Sequence, residues 1–90
     1  MKVFFFIGRN DRNKSGTSCK IWKIERKGRT VRRLWGPATW DKRARRAVPS
    51  DGLREVIDVQ PTVEEARTFE EYWVSRRLSR GYERNPRRRR

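Results

Sequence analysis

The sequence predicts an α+β fold, a β-sheet with one side covered by a helix. Three observations predict it. Two arms of alternating polarity flank Lys27-Gly28, an apolar run opens the chain, and one long stretch near the C-terminus has helical period.

The opening run is Val3 to Ile7, bounded by Gly8 and the polar segment Arg9 to Gly16. It reads as a first strand buried on at least one face, followed by a loop rich in turn formers and cations. The hairpin follows, Thr17 to Arg26 and Arg29 to Trp35, with Lys27-Gly28 as its two-residue loop. That loop sets Ile24 opposite Val31, Trp22 opposite Arg33 and Lys20 opposite Trp35. Side chains two apart share a face, so Trp22, Ile24, Val31 and Trp35 form one apolar face. The other face holds Lys23, Glu25, Thr30 and Arg32, with Ile21 and Leu34 further from the turn. Both faces therefore carry apolar weight, as in a ribbon inside a sheet. Gly36-Pro37 is expected to end the second arm, because proline cannot donate to a ladder.

Ala38 to Gly52 reads as a long basic excursion from the sheet, with Trp40 just before the DKRARR cluster of Asp41 to Arg46. Leu53 to Gln60 returns to strand pattern, with Ile57 and Val59 expected to point inward. Pro61-Thr62 then starts the helix. Thr62 suits the N-cap, with Glu65 three residues on to complete a capping box. Glu64 and Glu65 suit the positive end of the helix dipole. The helix is expected to reach about Arg80 and to close at Gly81. Val63, Ala66, Phe69, Trp73, Val74 and Leu78 fall in one half of its surface and should pack on the sheet. Glu70 and Arg77 fall in the same half; Arg77 is expected to lay its stem over an aromatic ring and pair its head with a carboxylate. Tyr82 can fold back onto the helix end. Beyond it, residues 84–90 have little to bury and read as a disordered basic tail on a single domain of residues 1–83.

Charge bounds the function. The 90 residues carry formal charge +14 with 25 Lys/Arg, 11 Asp/Glu and no His. Residues 1–61 hold 16 Lys/Arg against 6 Asp/Glu, whereas residues 62–80 hold four of each. The expected sheet and tail are cationic and the expected helix is balanced. A polyanionic partner follows, most naturally nucleic acid. Cys19 is alone, which excludes an internal disulfide and is compatible with a reducing cytosol. The N-terminal apolar run is too short for a secretory signal, and no stretch approaches the ~20 apolar residues of a membrane span. A soluble, cytoplasmic protein with no membrane partner is expected. Catalysis finds no support. There is no His to activate the lone Cys, no Gly-rich phosphate loop and no metal-ligand or spaced-carboxylate constellation. No enzyme activity, cofactor, metal or small-molecule substrate is expected.

Lys20, Trp22, Ile24, Val31, Trp35, Gly36, Glu64, Glu65, Ala66, Phe69, Arg77, Leu78, Gly81 and Tyr82 stand in an order and spacing that resembles the WGR domain. That module occurs in DNA-dependent poly(ADP-ribose) polymerases and in small bacterial proteins that are little more than the domain. The resemblance covers about residues 17–83. It implies a curved antiparallel sheet of four to five strands with one long C-terminal helix on one face. It also implies contact with DNA near a break, to which the Trp and Arg of the motif contribute. Here Trp35 and Gly36 match, but Pro37 stands where the family has Arg, so that cation's role does not carry over.

The candidate nucleic-acid-binding residues are Trp35, Arg32, Arg33, Trp40, Lys42, Arg43, Arg45 and Arg46. Trp35 has two readings: a stacking platform for a base or ribose, or a core residue beside Trp22 and Ile24. Trp40 is the aromatic expected to be partly exposed. Lys42 to Arg46 supplies four cations in five positions, either meeting phosphates or simply solvated. Arg87 to Arg90 reads as a non-specific electrostatic arm or as incidental. The expected function is binding of nucleic acid, DNA rather than RNA, through the phosphate backbone with weak sequence preference. The alternative is a protein–protein adaptor for an acidic partner.

Overall fold

The computed structural model describes residues 1–9 and 17–85, apart from the side chains of Arg9 and Thr17. Most of the polar loop and the last five residues, with the expected basic arm, lie outside the described residues. The fold is α+β. Strands β1 (Lys2–Arg9), β2 (Thr17–Lys27), β3 (Thr30–Asp41), β4 (Arg46–Pro49) and β5 (Arg54–Val59) precede helix α1 (Val63–Ser79), and a two-residue strand β6 (Glu83–Arg84) follows it. The sheet runs β4-β3-β2-β1-β6, and β5 pairs with the same edge of β3 that β4 uses further along. All pairs are antiparallel. There are thus up to two more strands than the sequence implies.

The β2–β3 hairpin closes with Lys27 opposite Thr30, so the loop is Gly28-Arg29 and not Lys27-Gly28. Gly28 has φ +58° and Arg29 does not have positive φ. Glycine first and an ordinary residue second is the type II′ arrangement. Lys27-Gly28 as a type I′ loop would force Lys27 to positive φ. The slip moves each partner by two residues, so Trp22 faces Trp35 and Ile24 faces Arg33. A shift of two preserves parity, and the expected apolar face survives intact.

That face is the first core. Phe4, Trp22, Ile24, Val31 and Ala66 are fully buried, and Trp35, Phe69, Trp73, Val74 and Tyr82 pack around them. Each large side chain buried there contributes about 1.5–3 kcal/mol. Two arginines join it. Arg33 Cζ lies 4.3 Å from the Trp73 ring centre, and Arg77 Cζ lies 5.2 Å from that of Trp22 and 5.3 Å from that of Tyr82. The expected cover of Arg77 by aromatics holds. Its head meets two rings, however, and no described carboxylate lies in ion-pair range. Burial pulls its pKa down, against the opposing pull of Tyr82. Glu70, equally awkward on a helical wheel, is held near Lys2 and Arg26 at 3.8 and 3.6 Å.

The opposite face holds a second, smaller core. Phe5, Ile21 and Ala47 are buried, and Trp40 packs on Phe5 with ring centres 4.8 Å apart. The apolar weight on both faces of the hairpin is explained by these two cores. Asn85 closes the curl around the second one. It follows β6, at one end of the strand order. Its side-chain amide accepts from Ala47 N–H and donates to Ala47 C=O in β4, at the other end, both at 2.9 Å. Its own N–H donates to Val3 O at 2.8 Å. The expected tail therefore begins later than residue 84. Glu83, Arg84 and Asn85 are ordered by hydrogen bonds, which an argument from apolar burial could not anticipate.

Two further expectations are corrected. Pro37 does not end β3, which continues to Asp41. Counting the ladder from the turn, Pro37 is a position whose N and O point away from β2, between the stretches paired with β5 and β4. No donor is needed there, and its carbonyl accepts from Ser50 N at 3.2 Å. Ile57 and Val59 point outward and are 57% and 64% exposed. The register with β3 sets Val56 opposite Arg33 and Asp58 opposite Val31, so the even residues face the helix.

The N-cap is Thr62 as expected, but only its half of the capping box forms, with no bond from Thr62 N to the Glu65 carboxylate. Thr62 Oγ1 accepts from Glu65 N at 3.1 Å. At the far end Gly81 has φ +93°, and Tyr82 N and Gly81 N donate to Arg77 O and Leu78 O, both at 3.1 Å. That pair of bonds is a Schellman motif. Ala66, Phe69, Trp73 and Val74 pack inward as expected, but Val63 and Leu78, at the two ends, are exposed.

Candidate nucleic-acid interface

The eight candidate residues do not form one patch. Arg32 and Arg33, adjacent in β3, point to opposite faces, and each meets a carboxylate. Arg32 Nε donates to Glu55 Oε2 at 2.5 Å and Nη1 lies 4.0 Å from Glu25. Arg33 Nη2 donates to Asp58 Oδ2 at 3.0 Å while its guanidinium covers Trp73. Both arginines are thereby held by the protein itself. Trp40 turns inward on Phe5 and is only half-exposed.

The basic segment is tighter than an open excursion. Asp41 opposite Arg46 closes a β3–β4 hairpin, and Asp41 Oδ1 accepts from Arg43 N at 2.9 Å and Ala44 N at 3.1 Å. An aspartate whose side chain caps the turn after it fixes the loop locally. Arg45 takes φ 53° and is half-buried, which lets the chain return into β4. Lys42, Arg43 and Arg46 are left exposed at the tip, and no described carboxylate lies within ion-pair distance of them. Three cations thus project from a short, hydrogen-bonded turn.

A second group forms where the helix stops short of the sheet. On the face that carries α1, one row runs Phe4, Trp22, Trp35, Arg54, and the next runs Phe6, Lys20, Pro37. The helix and Tyr82 cover the β1 side of these rows. An open cleft of about 1010 Å³ wraps this end of the hairpin, lined among others by Lys20, Trp35, Pro37, Arg54 and Tyr82 and, from strand positions of the opposite parity, by Cys19, Ile21 and Trp40, with Asp51 also on its wall. Lys20 and Arg54 are exposed, and Trp35 is half-buried. Trp35 thus meets both readings in part: one side packs on the core and another lines the cleft. Gly36 lets the β4–β5 loop approach. A Cβ there would lie 3.0 Å from Leu53 Cδ2 and 3.5 Å from Gly52 O. Lys20 and Arg54 were missed as site residues. Lys20 was legible as a neighbour of Trp35 in the hairpin, whereas Arg54 needed the β3–β5 register.

Burial raises the pKa of the Cys19 thiol, which also lines the cleft. Among the described residues no group of His, Cys, Asp and Glu is arranged to hold a metal ion. No described helix is long and apolar enough to cross a membrane.

Comparison with protein-family models, with curated proteins and with solved structures finds no match to this chain.

Proposed function

We propose that this chain is a WGR-like module, extending through Asn85, that binds nucleic acid through the phosphate backbone with weak sequence preference and favours DNA over RNA. The observation that carries the reading is the β3–β4 tip, where Lys42, Arg43 and Arg46 are exposed on a fixed turn and unmatched by any described carboxylate. In a chain of net charge +14, such a tip is where phosphates exchange their counterions for protein cations. The cleft beside Trp35 supports the same reading, since it pairs two cations with a partly exposed aromatic ring. An aromatic platform of that kind is worth about 1–3 kcal/mol per stacked base. The role is binding, without a catalytic step or cofactor. The reading includes a cytoplasmic location, with which a lone cysteine is compatible.

The test is a gel-shift titration against duplex DNA, nicked DNA, single-stranded DNA and RNA at two salt concentrations. Affinity should fall steeply with salt. The triple variant Lys42→Glu, Arg43→Glu, Arg46→Glu should bind more weakly and flatten the log–log salt slope by about 0.9 for each duplex phosphate that it no longer neutralises. All three side chains are exposed, so circular dichroism of the variant should match the parent. Undiminished binding by the variant would sink the tip assignment. Absence of a shift on every nucleic acid, with an acidic protein retained after nuclease treatment, would replace the reading with that of an adaptor.

A further inference from the structure

We propose that strand β5 pairs edge to edge with β5 of a second copy across a two-fold axis, so that the protein forms a dimer through a continuous sheet. The proposal concerns an edge remote from the cationic tip; Arg54, at one end of β5, also lines the cleft beside Trp35, but Glu55, Ile57 and Val59, which carry the pairing, do not.

The backbone carries the first argument. β5 is bonded to β3 along one edge, and no described strand lies along the other. The ladder alternation fixes which groups are left over. Gln60 N donates inward to Arg29 O, so the even residues Arg54, Val56 and Asp58 also use their polar groups toward β3. Those of Glu55, Ile57 and Val59 point outward, and none has a backbone partner among the described residues. Proteins ordinarily blunt such an edge with lysine, proline or a bulge. β5 has no lysine, proline or bulge, since its sequence is REVIDV and its six residues pair with Thr30 to Trp35 without interruption. It does carry charges, but Glu55 and Asp58 are bound by Arg32 and Arg33 of the same molecule.

The side chains carry the second argument. Ile57 and Val59 are 57% and 64% exposed on this strand. Charge decides which partner fits. Residues 54–79 hold four arginines against six carboxylates in a chain of net charge +14. A second copy meeting the molecule here is spared the repulsion it would meet at the basic tip. The β5 strand is also self-complementary. Antiparallel pairing centred on Val56 sets Arg54 opposite Asp58 of the second copy and Glu55 opposite its Ile57. It also joins outward-pointing backbone groups to outward-pointing ones. A one-residue slip would set Glu55 against Asp58 of the second copy and misalign the ladder. Isologous contacts of this kind close on themselves and stop at two copies.

The test is the mass of nuclease-treated protein by sedimentation or light scattering across a concentration series, with amide exchange read residue by residue. The expected result is twice the monomer mass, falling to the monomer on dilution. The amides of Glu55, Ile57 and Val59 should gain protection as the dimer forms. The double variant Ile57→Lys, Val59→Lys changes two exposed positions, so it should fold normally and remain monomeric. A mass that stays monomeric up to about 1 mM, the weak end of the usual affinity scale, overturns the proposal. So does a dimer in which those three amides stay unprotected, or a double variant that still dimerises.

Discussion

At the residue scale, one backbone angle sets the hairpin register. Gly28 is the position of positive φ in the β2–β3 turn, and nothing lies within 4 Å of where its Cβ would be. Substitution there isolates the backbone cost from any clash. Gly28→Ala should destabilise by about 1–3 kcal/mol, because the first central position of a type II′ turn is one that residues other than glycine rarely adopt. Urea melts with unchanged m-values would measure it; a neutral alanine would show that the turn can re-form elsewhere. The sequence located the glycine but not its place in the loop. The apolar face was nonetheless legible, because Trp22, Ile24, Val31 and Trp35 keep their side under any even slip. Arg33 and Arg77 were harder to read. Their positions on the apolar face are visible from spacing, but their contacts depend on helix rings placed by tertiary packing.

At the scale of elements, legibility followed the number of independent signals. The helix had a cap residue, a first-turn acidic pair, a periodic face and a closing glycine, and its observed span of Val63–Ser79 departs from the expectation by about a residue at each end. Strand β5 had only alternation, with apolar residues on both parities, so the side facing the helix was fixed by β3 and not by its own pattern. Strands β4 and β6 gave no signal. β4 is four residues containing Arg and Pro, and β6 is two residues paired with β1 and followed by Asn85, whose side chain reaches β4. That side chain supplies a prediction about closure of the curl. Asn85→Ala removes both bonds to the Ala47 backbone, which belongs to a fully buried residue. Unsatisfied buried groups of this kind cost about 1–3 kcal/mol, so the variant should lose stability within that range. The Ala47 amide should also exchange faster relative to amides of the β2–β3 ladder. Unchanged exchange at Ala47 would mean that the second core closes without the clasp.

For the whole molecule, the decisive quantity is how much of the positive charge is satisfied internally. Carboxylates tie Lys2, Arg26, Lys27, Arg32 and Arg33 at 4.0 Å or less, and two of these, Arg32 and Arg33, were among the residues expected to meet nucleic acid. The site was therefore legible as a charge excess and a cluster at Lys42 to Arg46. Which of its cations remain exposed depended on cross-strand partners that no local pattern reveals. The excess should also weaken the fold itself. Salt acts on two opposing terms. It weakens the ion pairs, most of which are partly exposed and worth about 0–1 kcal/mol each. It also screens mutual repulsion among uncompensated cations, which extends over about 10 Å at 0.1 M ionic strength and about 30 Å at 0.01 M. With 25 cations against 11 anions, repulsive pairs outnumber attractive ones, and the screening of repulsion should win. The melting temperature should accordingly rise between about 0.01 and 0.1 M sodium chloride, where the screening length changes most. A gain of ~1 kcal/mol would appear as about 4–8 °C for a domain of this size. Scanning calorimetry on nuclease-treated protein would read it. A melting temperature that falls as salt is added would mean that the internal ion pairs outweigh the repulsion, and that the surface is less cationic in effect than its composition implies.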